Sequence, residues 1–175
     1  MKTFLASLAF IFPLLGANTI DAGDGFEAVR CGSDIPKALI GHKGSDEPVV
    51  KIEERHKDIS LKHLGADEIS ESLNIIFWQI CGDEYVTLEA GVVVKDALKF
   101  PTHSKDTPQF DGFCQLNGKE LPEAVVGVLK NEEGATMLQA LSAWKIDEKQ
   151  KKFVQLQTEG LVCDRNGITT EDGGK

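Results

Sequence analysis

The stretch that decides the fold lies near the middle of the chain and reads Ile76-Phe77-Trp78-Gln79-Ile80-Cys81-Gly82-Asp83-Glu84-Tyr85-Val86-Thr87-Leu88. Ile76, Trp78 and Ile80 fall on one side of an extended chain, because successive side chains of a β-strand point to opposite faces. After a polar turn at 82–84, Val86 and Leu88 repeat this alternation. The stretch therefore predicts an antiparallel hairpin that presents one apolar face.

A second hairpin of the same kind is predicted closer to the end of the chain. Trp144 and Ile146 share one face of its first strand, and Val154 and Leu156 share one face of its second strand. A charged turn at 147–152 separates the two strands. Trp78 of the first hairpin and Trp144 are therefore interpreted as core residues, and any interface role is assigned to the hairpin edges.

Two Asn-Gly pairs indicate further turns. The pair Asn117-Gly118 favours a type I′ turn, in which both central residues take positive φ, and it would fold 114–116 back onto 119–121. The pair Asn166-Gly167 predicts another turn of this type.

Helical periodicity is sparse, with candidates at 45–58, 66–73 and 135–143. We therefore predict an α+β fold that is predominantly antiparallel β. We expect it to consist of two similar halves, each held by one disulfide.

The prediction of two similar halves comes from four sequence blocks that recur in the same order. The blocks pair 35–41 with 121–127, 78–80 with 144–146, 85–88 with 153–156, and 91–93 with 160–162. Their shared order predicts an internal duplication, and a chance likeness between β-prone segments is the alternative. One feature breaks the equivalence, because Cys81 follows Trp78 closely whereas Cys163 lies far beyond Trp144.

The duplication divides the chain into five parts. These are a signal peptide at 1–22, a first half at 23–100 with an insertion at about 42–70, a connector at 101–112, a second half at 113–169, and a flexible tail at 170–175. The signal peptide is indicated by Lys2 followed by an apolar run that is too short to anchor a protein in a bilayer. Cleavage after Ala17, Thr19 or Ala22 fits equally well. We expect a protein that is periplasmic or secreted and has no membrane anchor.

The charge balance excludes one class of partner. The chain carries 28 acidic and 19 basic side chains, which gives a net charge of -9 at pH 7. Because a nucleic-acid binder needs clustered Lys and Arg to contact phosphates, we predict no nucleic-acid partner. A basic extracytoplasmic protein is the partner that an acidic surface favours.

Four cysteines follow the signal peptide: Cys31, Cys81, Cys114 and Cys163. An even number in an exported chain favours disulfides, and three pairings are possible. The similar separations within each half, 50 and 49 positions, lead us to predict Cys31-Cys81 and Cys114-Cys163. A four-cysteine zinc site is the alternative, but the chain has no Cys-x-x-Cys pair to support it.

Three of the four histidines lie in the insertion, and the fourth lies in the connector. Imidazoles near carboxylates can hold zinc or copper, so the candidate metal ligands are His42, His56, His63 and His103. The alternative interpretation is that these are solvated side chains of a surface insertion. The predicted cofactor set is therefore none, with metal binding kept as an alternative function.

Catalytic motifs are absent from the sequence. It has no phosphate-binding glycine loop, no Gly-x-Ser-x-Gly elbow and no paired-histidine metalloprotease motif. Glu53, Glu54 and His56 are the candidates for a hydrolase acid and base, and this is the third hypothesis. The leading hypothesis is a small exported, disulfide-stapled protein that acts as a protein-binding or inhibitor-like module and is not an enzyme.

Overall fold

The computed structural model describes residues 24–44 and 47–168, so the predicted signal peptide and tail lie outside the described residues. Within them the chain forms two α-helices, α1 (Ile35–Leu39) and α2 (Val49–Arg55), and eleven strands. The strands are β1 (Lys62–Ser70), β2 (Leu73–Ile80), β3 (Asp83–Ala90), β4 (Val93–Lys99), β5 (Gln109–Gly112), β6 (Cys114–Leu116), β7 (Lys119–Glu120), β8 (Val125–Leu129), β9 (Met137–Asp147), β10 (Lys152–Gln155) and β11 (Leu161–Asp164). None of the described helices is both long and apolar enough to cross a membrane.

The strands form two antiparallel sheets. The first sheet is a meander with the order β1-β2-β3-β4. The second has the order β5-β8-β9-β11-β6-β7, and β10 also pairs with β9. The prediction of a fold dominated by antiparallel β-structure is therefore confirmed.

The central hairpin forms as β2 and β3, but its turn and its packing differ from the prediction. The turn lies at Cys81 and Gly82, both of which have positive φ, and Ile80 pairs with Asp83. Both faces of the hairpin are buried, so the prediction of one apolar face is wrong. The reason is that β2 is an almost continuous run of apolar residues, which is typical of a strand covered on both sides.

Three layers of apolar side chains pack against the faces of the two sheets, and the middle layer lies between the sheets. On one face of the first sheet, the helices and the segment before them pack on Ile76, Trp78 and Ile80. On its other face, Ile75 and Phe77 meet side chains of the second sheet. The far face of the second sheet carries the third cluster, which includes both cysteines of one disulfide. Since the middle layer belongs to both sheets, the two halves share one core.

The helix predicted at 135–143 is wrong, because the structure places strand β9 there. Leu138 and Ala140 are buried on the same face of this strand, and a bulge next to Leu141 interrupts its register with β8. The helix predicted at 66–73 is also wrong, since residues 66–70 belong to β1 and Leu73 begins β2. In both places, pairing with other strands outweighs the helix propensity of Ala, Leu and Met.

The two Asn-Gly pairs behave differently. Asn117 and Gly118 both have positive φ and join β6 to β7, which confirms the predicted I′ turn. Residues 165–167 instead form a 3₁₀ turn, because the side chain of Asp164 accepts the backbone N–H of Asn166 at 2.9 Å. The second turn prediction is therefore wrong.

Two disulfides form with the predicted pairing. Cys31 is bonded to Cys81, with 5.5 Å between their Cα atoms, and this bridge ties the segment before α1 to the β2–β3 turn. Cys114 is bonded to Cys163, its register partner on the neighbouring strand, with 4.0 Å between the Cα atoms. Two such bridges are typical of an oxidising, extracytoplasmic environment.

Candidate functional site

His56, at the end of α2, is buried and belongs to a cluster around Asp24. Its Nε2 lies 2.7 Å from Oδ2 of Asp24, and Nη1 of Arg55 donates to the same oxygen at 2.9 Å. The other carboxylate oxygen of Asp24 accepts the backbone N–H of Phe26 at 3.0 Å. Both oxygens are thus in use, so the cluster fastens the start of the described chain to α2.

His63 lies at the start of β1, between α2 and the core. Its backbone N–H donates to Oε1 of Glu53 at 2.7 Å, and its ring packs edge-on against Trp78 with 5.2 Å between the centroids. Burial lowers the pKa of His63 below its ordinary value, because a charged ring would lose solvation there, and the nearby Glu53 opposes this only in part. His63 is thus held as a packing residue.

His103 and His42 lie away from these two. Nε2 of His103 lies 2.7 Å from Oε2 of Glu84. The carbonyl of His42 accepts the backbone N–H of Val94 at 2.9 Å.

The structure therefore does not collect the four candidate metal ligands. In residues 24–44 and 47–168, no group of three or more histidine, cysteine, aspartate or glutamate side chains is arranged to hold a metal ion. His42, His56, His63 and His103 each have different neighbours. The metal-binding alternative stays a prediction without a supporting contact.

The three candidate hydrolase residues also have separate surroundings. Glu53 is engaged by the backbone of His63, Glu54 is exposed on α2, and His56 is turned toward Asp24. An acid and a base that share a reaction must converge on one substrate position. No contact between these three residues supports that arrangement.

Sequence reasoning missed the way in which β4, one outer strand of the first sheet, is covered. A segment that we name the strap, residues 41–44, runs along this edge. Gly41 donates its N–H to the carbonyl of Val94 at 2.8 Å, and Gly44 donates its N–H to the carbonyl of Val92 at 2.9 Å. Further along β4, Oδ2 of Asp96 accepts the backbone N–H of Phe153 in β10 at 2.8 Å. The strap thus pairs with backbone groups at the start of β4, and β10 binds a side chain further along it.

The opposite edge of the same sheet, β1, is different. Among the described strands β1 pairs with β2 alone. Helix α2 covers its start through the hydrogen bond from His63 to Glu53. We name residues 64–71, which lie beyond that contact, the open edge. Unpaired backbone groups on such a strand are a ready template for pairing with another chain.

The open edge is acidic. Asp67, Glu68 and Glu71 are exposed, none of them forms an ion pair with a described residue, and the stretch contains no Lys or Arg. Partial burial raises the pKa of Asp67 above its ordinary value. Paired backbone groups on one edge and uncompensated negative charge on the other make β1 the candidate interaction site.

No family model, no curated protein sequence and no solved structure matches this chain.

Proposed function

We propose that this chain is an exported, disulfide-stapled module that binds a basic extracytoplasmic protein and has no catalytic activity of its own. The observation that carries the proposal is the open edge. It combines a strand that pairs on one side only with three exposed carboxylates, Asp67, Glu68 and Glu71, that form no ion pair within the described residues. Complementary charge speeds encounter with a partner and excludes partners of the same sign.

The predicted leader at 1–22 and the two disulfides support export to the periplasm or the medium. The bridges also support a binding role, because they hold the sheet rigid without a large core. A rigid strand edge loses little conformational entropy when it binds.

An inhibitor-like role fits the same surface. An inhibitor must present a preorganised segment to its target, and β1 is held in place by β2 along its length. The metal-binding and hydrolase alternatives draw no comparable support from a contact between their residues.

We further propose that the two halves arose by internal duplication. Three of the four paired blocks have the same kind of local structure in both halves: a strand containing Trp78 or Trp144, a returning strand, and a turn that leads into β4 or β11. The first pair departs from the pattern, because residues 35–41 contain α1 whereas 121–127 lead into β8.

The proposed function is tested by capture with a matched charge variant. Purified oxidised protein and its Asp67→Lys/Glu68→Lys variant are immobilised and exposed to the extracytoplasmic fraction of the source cells at low and high salt. Each enriched protein is then purified, identified and titrated against both forms. We expect a basic protein that binds the unmodified chain, is released by salt, and binds the variant at least about tenfold more weakly, since 1.4 kcal/mol corresponds to tenfold.

The control is Glu132→Lys/Glu133→Lys. These two exposed acidic residues lie in the loop between β8 and β9, and the variant changes the net charge by the same amount. Enrichment of the same proteins by all three forms, or of none by any form, would overturn the proposed function.

A further inference from the structure

The edges of the two sheets differ in how they are closed. On β4 the strap and β10 supply hydrogen-bond partners. On β5, the outer strand of the second sheet, Phe110 forms a bridge with Ile168. The strand at the other end of that sheet, β7, is only two residues long. The nine-residue β1 is therefore the longest strand that pairs on one side alone within the described residues.

The geometry of β1 limits where another strand could add. The side chain of Glu53 accepts the backbone N–H of His63, so an added strand would meet α2 at that end of β1. Bulges lie between His63 and Gly65 and between Glu68 and Ser70, which leaves Gly65–Glu68 as the regularly paired stretch. Gly65 has no heavy atom within 4 Å of the position of an added Cβ. The face of the sheet above Gly65 is therefore open.

The charges select the kind of chain that fits. Asp67 is the register partner of Ile75, and Glu68 is the register partner of Asn74, so the two carboxylates lie on opposite faces of the sheet. An added strand would place two adjacent residues beside them, one on each face. Basic side chains at both positions would neutralise both carboxylates.

A second copy of this chain is disfavoured by the same charges. Two-fold antiparallel pairing of the open edge about its centre would place Asp67 of one copy opposite Glu68 of the other. Like charges directly opposite each other destabilise a strand pair. Bulges and charges of this kind protect natural edge strands from self-association, and they leave access to a partner of opposite charge.

We propose that the partner adds an extended segment to the open edge as a further β-strand, and that two adjacent basic residues of this segment face Asp67 and Glu68. This inference rests on the proposed function and names the mode of binding at the same site. The main-chain hydrogen bonds of such strand addition supply affinity, and the side chains supply specificity.

The test uses a synthetic peptide with blocked ends in which two adjacent lysines are flanked on each side by valine and threonine. One matched peptide carries two glutamates in place of the lysines. Another keeps the lysines but has its backbone nitrogens methylated throughout, which preserves its charge and removes its main-chain donors. Binding to the oxidised protein is measured by titration at low salt, and the site is located by hydrogen exchange with mass spectrometry.

We expect the lysine peptide to bind and to slow amide exchange within 64–71, and we expect both matched peptides to bind at least about tenfold more weakly. Asp67→Lys/Glu68→Lys should weaken binding of the lysine peptide to the same extent. Glu132→Lys/Glu133→Lys should leave the affinity for this peptide within about twofold of that of the unmodified protein. Thermal melting verifies that each variant is folded. If the lysine variant does not fold, Asp67→Asn/Glu68→Gln replaces it, and the expected loss is about threefold.

Equal binding of the methylated peptide, exchange protection outside 64–71, or no binding of the lysine peptide would overturn strand addition. A basic protein captured in the experiment above would still uphold the proposed function in that case. Failure of capture overturns the function itself, so the two failures are distinguishable.

Discussion

Each outer strand of the first sheet has backbone groups that its neighbour in the sheet does not pair, and the two strands differ in what lies beside those groups. Strand β4 is covered at its start by backbone hydrogen bonds to the strap, and its Asp96 side chain binds β10, whereas β1 faces outward and carries bulges and carboxylates instead. A covered edge contributes to stability, since its backbone groups are paired inside the protein. An open edge contributes little to stability and is available for contacts. The comparison predicts that changes on the β4 side cost stability and that changes on the β1 side mainly alter binding.

The largest effect is expected from the disulfide that ties the segment before α1 to the β2–β3 turn. Cys31→Ser/Cys81→Ser should lower the free energy of unfolding by roughly 4 kcal/mol, the chain-entropy value for a loop of this length. Denaturant titration measures the loss, and hydrogen exchange should show earlier opening at Val94 than in β9. A loss of unfolding free energy below about 1 kcal/mol would show that this bridge contributes little to stability.

The second effect compares one glycine from each side. A Cβ at Gly44 in the strap would lie 2.0 Å from Oε1 of the fully buried Glu89, whereas a Cβ at Gly65 in β1 meets no atom within 4 Å. Neither residue has positive φ. Gly44→Ala should therefore destabilise the protein by about 2 kcal/mol, because overpacking forces neighbours to move. Gly65→Ala should be neutral or stabilise it by up to about 1 kcal/mol.

Equal effects of the two alanine substitutions on the denaturation midpoint would contradict the expected difference between the strap and β1. They would mean that the strap side is no more tightly packed than the β1 side. Circular dichroism of both variants verifies that the sheet content is unchanged.

A smaller effect is expected where α2 covers the start of β1. Glu53→Ala removes the acceptor of the His63 N–H, and it should cost about 1 kcal/mol, the usual net value of one hydrogen bond. Exchange of the His63 amide should become faster, while exchange in β4 should not change. Glu54→Ala is the matched control, because Glu54 is exposed on the same helix and should alter the free energy of unfolding by less than about 0.5 kcal/mol.

The smallest effect is a pH dependence that arises from His63. Burial lowers its pKa in the folded protein, so the unfolded chain binds a proton more readily. The stabilisation that comes from the neutral His63 ring is present at a pH above the ordinary pKa of 6.5. It is lost as the pH falls through the lower pKa of His63 in the folded protein. Denaturant midpoints between neutral and mildly acidic pH should fall less in His63→Phe than in the unmodified protein. An identical pH profile would show that this ring does not couple folding to protonation.

Local patterns were enough to predict part of this fold. The alternation around Trp78, the Asn117-Gly118 turn and the pairing of the four cysteines were confirmed, because each depends on residues that are adjacent or evenly spaced in sequence. The helix predicted at 135–143 failed, since Leu138 and Ala140 lie in a strand that pairs with both β8 and β11.

The candidate site could not be predicted from local sequence patterns. The sequence predicted a helix at 66–73, and nothing local distinguishes an outer strand from a central one. The usable signal was a run of acidic residues directly before the apolar run of β2. Edge position depends on whether any other part of the chain pairs with the outer side of a strand, which a local pattern does not contain.

The sequence by itself determined the antiparallel β character, the disulfide pairing, the acidic charge and the core position of Trp78, because side-chain alternation, cysteine spacing and composition are local or countable properties. Only the tertiary structure decided that the strap covers β4, that β1 remains open with Asp67 and Glu68 on its two faces, and that the four histidines have separate neighbours. The physical reason is that coverage of an edge and convergence of side chains depend on distances between segments, and those distances are set when the two sheets pack together.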